Sequence, residues 1–187
     1  MTTSLLPIIF IPKNVCHIGN NIFKRSLSLT SIIVDPENQY FKSIDGVLFT
    51  KDVTTLLSYP INNPRSTYTA PENTITLSMD SMVRIINLKN LIFNKALQTI
   101  KTWSLVFCGS LESIIIPGQL HSIHEYAFYG CIYLKKLIIY SPLPPEITSS
   151  SLDTSSDTLK VYVPNEYFDL YMNSKWGKYY SEIMYPI

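Results

Sequence analysis

Pro71, Asn94, Pro117 and Tyr140 stand at intervals of 23 residues, and the same apolar skeleton returns behind each marker. Set beneath one another, the segments that start at Asn94 and Pro117 match at seven positions. Leu97, Ile100, Leu105, Cys108, Leu111, Ile114 and Ile116 face Leu120, Ile123, Phe128, Cys131, Leu134, Leu137 and Ile139. A unit this short cannot enclose a core of its own. Stacked on copies of itself it buries one continuous core, so the spacing predicts a solenoid.

The bulk composition agrees with one ordered domain. The 187 residues are 46% hydrophobic and 16% charged, which suits repeating buried strands and argues against disorder. A formal net charge of +1 leaves no electrostatic footprint for nucleic acid or for an anionic membrane surface. No apolar stretch approaches the roughly 20 residues that span a bilayer, so no transmembrane segment is expected. Three cysteines, Cys16, Cys108 and Cys131, form neither a CxxC metal pair nor a dense disulfide framework.

The repeat register organises the rest of the chain. The run Leu5-Leu6-Pro7-Ile8-Ile9-Phe10-Ile11 has the look of a short signal-peptide core, but no basic stretch precedes it and no small-residue cleavage site follows. Leu6, Ile9 and Ile11 hold the same offsets from Pro12 that Leu111, Ile114 and Ile116 hold from Pro117, so the run is expected to be the first rung. Asp35 takes the next marker position, and the register then breaks until Pro71. In that gap two β-prone runs, 43–49 and 54–60, flank the polar turn 50–53. This predicts a hairpin projecting from the solenoid, with Pro60, Asn62, Asn63 and Pro64 as its return loop. After Ile139 come a turn-rich loop through 148–158, a last strand over 159–163, and a short helix over 165–174 that opens behind Pro164. The aromatic tail from Tyr167 to Ile183 is expected to cap the open end.

A period in the twenties is that of leucine-rich repeats. The predicted fold is therefore a leucine-rich-repeat solenoid, a β-rich α/β right-handed superhelix. It would have six or seven rungs, one parallel sheet, short helical or 3-10 turns and a C-terminal capping helix. Its parts, within a single domain 1–187, are rungs over about 6–35 and 71–140, a hairpin-bearing unit 36–70, and a loop and cap 141–187. Within each strand, side chains alternate: Ile114 and Ile116 point inward, Ser113 and Ile115 outward. The outward residues Ile33, Ile92, Ile115 and Ile138 then form a ladder edged by Ser31, Asn90, Ser113 and Lys136. That ladder, with Lys51 and Asp52 at the hairpin turn, is the candidate binding surface; β-propensity alone is the competing explanation for its isoleucines.

The motif Ile-x-Ile-Pro-x-x-Leu-x-x-Ile-x-x-x-Ala-Phe-x-x-Cys-x-x-Leu, running from Ile114 to Leu134, resembles the BspA-like leucine-rich-repeat family. Asp35-Pro36-Glu37-Asn38 followed by Ser43 to Phe49 and Leu56 to Pro60 resembles that family's hairpin-bearing unit, and Val161 to Pro164 with Tyr171, Trp176 and Tyr179 its terminal cap. His124 stands where the family usually has glycine, and Ser104 where it has alanine. The resemblance implies a surface or secreted protein of bacteria and parasitic protists that adheres to host matrix or other cells. Without an export signal in the sequence, unconventional export, a fragment and a cytosolic relative all stay open.

No other residue pattern points to chemistry. Cys108 and Cys131 share one repeat slot, near enough for a disulfide by distance, yet the slot reads as a packing ladder of free thiols, with Ser26 as its first member. His17, His121 and His124 fall on rungs too far apart for a common metal ion. Cys16 and His17 are adjacent on a strand and face opposite ways, which defeats a nucleophile and base pair. Asp35, Glu37, Asp45 and Asp52 fit no calcium-loop spacing. With six glycines and no phosphate-loop, zinc-protease or serine-hydrolase string, the chain is expected to be no enzyme and to hold no cofactor or metal. The expected partner is a protein or cell-surface ligand met by a monomer; an intracellular scaffold and a hydrolase with an unrecognised site are the rivals.

Overall fold

The computed structural model describes residues 6–153 and 156–187. Leu5 of the first apolar run, and Thr154 and Ser155 of the late loop, lie outside the described residues. The chain opens with β1 (Ile8–Ile11) and β2 (Ser31–Val34), then a meander of β3 (Phe41–Ile44), β4 (Val47–Thr50) and β5 (Thr55–Ser58). Strands next alternate between two flanks: β6 (Thr67–Thr69), β7 (Thr76–Leu77), β8 (Asn90–Ile92), β9 (Thr99–Ile100), β10 (Ser113–Ile116), β11 (Ser122–Ile123) and β12 (Lys136–Ile139). The C-terminal part adds β13 (Lys160–Val163), helices α1 (Phe168–Met172) and α2 (Lys175–Tyr180), and β14 (Met184–Pro186). Two 3-10 turns, Asn165–Tyr167 and Ser181–Ile183, flank the helices.

The expected parallel sheet runs β6, β8, β10, β12, β13, β14. Its inward column is Tyr68, Leu91, Ile114, Leu137, Val161 and Met184, in register and buried throughout. β1 and β2 pair the same way, Ile9 opposite Ile32 and Ile11 opposite Val34, so the N-terminal run does form the first rung. The solenoid makes about eight turns, beyond the expected six or seven because β6 and β14 each add a strand to the sheet. A second ladder, absent from the sequence reading, stacks Leu56, Leu77, Ile100 and Ile123 in parallel register through β5, β7, β9 and β11. Its later strands are two residues long, too short to show alternation.

The hairpin departs from expectation. It has three strands, with β3 and β4 antiparallel around Asp45-Gly46 and β4 and β5 antiparallel around Lys51–Thr54. It does not project. Val47, Leu48 and Phe49 are all 0% exposed. Val47 and Phe49 join the main core, while Leu48 packs in a second core with Ile11, Leu29, Ile32, Val34 and Phe41. Both faces of β4 are apolar, so it can only lie between two layers.

Asparagines tie rungs together at their corners. Asn38 is 0% exposed; its Nδ2 donates to the Pro12 and Val15 carbonyls at 2.9 Å each, and its Oδ1 accepts from the N–H groups of Tyr40 and Phe41 at 2.8 Å. Asn94 does the same work two units later, donating to the Pro71 and Thr74 carbonyls. The cysteine slot is a second tie. Cys108 donates its thiol to the Met82 carbonyl and Cys131 to the Leu105 carbonyl, each at 3.0 Å. Both are buried and unbridged, whereas Cys16 is exposed.

The far flank turns through left-handed backbone. Asp80, Trp103 and Tyr126 have φ of 55°, 59° and 54°, and Arg84 and Phe107 have 58° and 55° ahead of Gly130 at 72°. Glycine suits such a slot; a side chain with a Cβ is strained there by roughly 1–2 kcal/mol.

At the C-terminus, α1 and α2 close the core as a cap, and β14 extends the sheet. Tyr171 and Trp176 are 0% exposed. The Tyr171 hydroxyl donates to the Ser141 carbonyl at 3.0 Å and Trp176 Nε1 to the Pro145 carbonyl at 2.8 Å. Buried aromatics stay anchored because their polar ends find partners.

Three measurable outcomes rest on this packing. Asn38→Leu strands backbone groups in two rungs and should lower unfolding free energy in urea by about 2–4 kcal/mol; a loss below about 1 kcal/mol would contradict the tie. Burial raises the Cys108 thiol well above its ordinary pKa, so a thiol reagent should titrate one cysteine rapidly in the native protein and all three in denaturant. Burial also pushes the Tyr59 hydroxyl up to about 12. Its neutral form is the one the fold favours, so its contribution is intact below pH 10 and is lost as pH rises through about 12. A melting temperature that is flat across that range would refute it.

Candidate recognition surface

Two sheets have six strands, and in the all-parallel one, β6-β8-β10-β12-β13-β14, hereafter the six-stranded sheet, the outward residues align into two columns. One runs Thr69, Ile92, Ile115, Ile138, Tyr162 and Tyr185, the other Thr67, Asn90, Ser113, Lys136 and Lys160. With strands about 4.8 Å apart, the first column is roughly 24 Å long. It is apolar in the middle and aromatic at one end, where Tyr162 and Tyr185 lie 5.8 Å apart and the Lys160 ammonium sits 5.0 Å from the Tyr185 ring. In the second column Ser113 donates to Asn90 Oδ1 at 2.7 Å. Along its edge Glu112 stands between Lys89 at 3.8 Å and Lys135 at 3.2 Å. These exposed pairs add little stability but fix the charge pattern beside the apolar strip.

The predicted surface residues divide three ways. Ile92, Ile115, Ile138, Ser113 and Lys136 stand together on this face. Ile33 belongs to the separate two-stranded sheet, opposite Phe10. The hairpin separates the two sheets: the Ile32 N–H donates to the Gly46 carbonyl at 2.9 Å, and Arg65 Nη1 to the Asp45 carbonyl at 2.8 Å. Gly46 has φ +81°, and a Cβ there would meet Ser31 Oγ at 2.6 Å, so the turn passes close against β2.

Lys51 and Asp52 are exposed at the second hairpin turn and bond locally. Lys51 Nζ donates to the Asn38 and Pro36 carbonyls. Asp52 Oδ1 accepts from the Thr50 hydroxyl at 2.7 Å, the Thr54 hydroxyl at 2.8 Å and the Thr54 N–H at 3.1 Å. The Thr50 bond leads in holding this carboxyl below its usual pKa. Tyr162 and Tyr185 escaped the sequence reading because a step of 24 separates Ile138 from Tyr162; following the inward residues across that step finds them.

Among the described residues no three His, Cys, Asp or Glu side chains converge on a common point. No described helix is long and apolar enough to cross a membrane.

Solved structures share this architecture. The pneumococcal vaccine antigen PcpA superposes with a TM-score of 0.68 at 25% identity, over 97% of this chain and 54% of its own. A leucine-rich cell surface protein from Faecalibacterium prausnitzii gives 0.71 at 23% identity, over 87% of this chain and 43% of its own. A leucine-rich repeat protein from Eubacterium ventriosum gives 0.60 at 20% identity, over 84% and 48%. The chain thus spans about half the length of these structures. No curated protein matches its sequence. Six copies of the BspA-type leucine-rich repeat region match residues 2–67 and 61–174. On that match, the chain belongs to the BspA-type leucine-rich-repeat family, whose repeats form protein-interaction modules.

Proposed function

We propose that this chain recognises a protein or cell-surface ligand and serves in adhesion to host matrix or other cells, at the cell surface or after secretion. Its contact surface is the outward face of the six-stranded sheet, centred on Ile92, Ile115 and Ile138 and edged by Ser113 and Lys136. The observation that carries this reading is the alignment of those side chains in register over consecutive rungs. Outward positions of a repeat sheet can change without disturbing the inward skeleton, so a flat array of this kind can be fitted to a partner. A polar-edged apolar strip is also the expected make-up of an interaction site.

Lys51 and Asp52 contribute by holding the turn beside β3. Ile33 and Phe10 form a smaller exposed apolar pair beyond the hairpin. The chain acts by binding and performs no catalysis, and it works as a single domain and as a monomer. A surface location agrees with the Faecalibacterium prausnitzii neighbour, itself a leucine-rich cell surface protein.

Paired substitutions test the assignment of faces. Ile115→Asp should abolish adherence to plates coated with host extracellular matrix while moving the unfolding free energy by less than about 1 kcal/mol. Phe128→Ala should cost about 3–5 kcal/mol by leaving a cavity. If Ile115→Asp unfolds the protein as Phe128→Ala does, or leaves adherence intact, the sheet face is not the contact surface. Failure of the wild-type chain to label on intact cells would point instead to an intracellular scaffold.

A further inference from the structure

The flank opposite the sheet carries a cleft that the sheet-face reading does not use. In most rungs this flank turns through left-handed residues: Asn21 in the first, Asp80, Trp103 and Tyr126 in later ones. The equivalent stretch of the hairpin unit, 57–61, has no left-handed residue, and Tyr59, Pro60 and Ile61 in it are buried. One turn is therefore flattened between two that are not. Ser58, Tyr59 and Ile61 line a crevice of about 10 Å³ between the turn at 21–25 and the turn at 80–84. Sharing Asn21, Lys24, Asp80 and Val83 with it is a larger cleft of about 250 Å³, walled by Arg25, Arg84, Trp103 and Phe107.

Each cleft aromatic packs one edge on the next rung, Trp103 against Tyr126 at 6.2 Å and Phe107 against Tyr129 at 5.5 Å. Trp103 and Phe107 nevertheless stay 49% and 47% exposed, so each leaves a ring face open to solvent. Gly130, one rung on, leaves room for the Phe107 ring: a Cβ there would meet it at 2.4 Å. The Arg84 guanidinium lies 5.8 Å from the Phe107 ring centroid and adds a cation to the aromatic wall. The cations Lys24 and Arg84 stand with one acid, Asp80, among the cleft residues. Among the described residues Asn21 Oδ1 and the Ser81 hydroxyl line the adjoining crevice with no hydrogen-bond partner; Ser104, at the repeat position of Ser81, lacks one as well. That crevice has room for one water-sized polar group.

We propose that this cleft binds an acidic sugar, a saccharide unit bearing a carboxylate. Its ring lies against Trp103 and Phe107, its carboxylate meets Arg84 and Lys24, and a hydroxyl reaches Asn21 and Ser81. A planar guanidinium matches a carboxylate fork, exposed aromatic faces suit a ring with one apolar side, and hydroxyls satisfy stranded oxygens. The cleft is smaller than the roughly 300–1,000 Å³ of drug-sized sites, which favours one ring over an extended acidic peptide. The site is independent of the sheet face and can stand if that reading falls.

The chain has two tryptophans, and Trp176 is 0% exposed, so ligand-dependent fluorescence reports on Trp103. Titrating the wild-type chain with N-acetylneuraminic acid and with glucuronic acid should give a saturable change for at least one. The methyl ester of that acid should bind at least tenfold more weakly. By calorimetry, Arg84→Gln and Phe107→Gly should each weaken binding at least tenfold in variants whose circular dichroism is that of the folded wild type, while Ile115→Asp leaves binding alone. Should a variant fail to fold, the comparison of acid and ester on the wild type still decides. Absence of saturable binding by both acids, equal affinity for acid and ester, or Arg84-dependent binding of oligoglutamate in place of either sugar would overturn the proposal.

Discussion

No rung of this solenoid is complete by itself. The inward column of the sheet lies over the inward residues of the next strand, and the backbone of each turn hydrogen-bonds to the turn beside it, as Met82 does to Ser104 and Leu105 to Ala127. Even the thiols follow the rule, donating to a carbonyl one rung back. Stability in such a chain is the sum of neighbour interfaces. The apolar end of the stack must then be closed by something that is not a rung, and Tyr171 and Trp176 close it with their polar ends bonded to the preceding loop.

The hairpin unit shows how far one insertion can reshape a regular array. β4 has apolar side chains on both faces and joins two cores. The turn at Asp45-Gly46 separates the N-terminal strand pair from the six-stranded sheet. On the opposite flank the same unit flattens one turn, whose Ser58, Tyr59 and Ile61 line a narrow crevice. Separated sheets, joined cores and a flattened turn all trace to one break in the 23-residue spacing.

Much of this was legible from residue spacing. The inward column, the first rung at Ile8–Ile11, the cysteine slot and the aromatic cap all announce themselves because apolar type and position recur together. The placement of the hairpin did not. Its β-prone runs were visible, but Val47-Leu48-Phe49 gives no alternation, and a strand buried on both faces looks the same in sequence as one that projects with a sticky tip. The sheet-face residues from Ile92 to Ile138 were found by offset; Ile33 was misgrouped because an offset carries no information about which sheet a strand joins. The turn-flank cleft left a signal in Asp80, Trp103 and Tyr126 at the repeat interval. Nothing in those residue types declares left-handed backbone, so the strain that marks them out is visible only in three dimensions.

The cysteine ladder bears on where such a fold can persist. Cys108 and Cys131 stabilise as small buried groups with a hydrogen bond each, and neither needs a partner sulfur. A core built this way holds together without a crosslink, so a reducing medium takes nothing from it. The fold therefore matures by packing alone, with no sulfur pairing to be matched before the rungs can close.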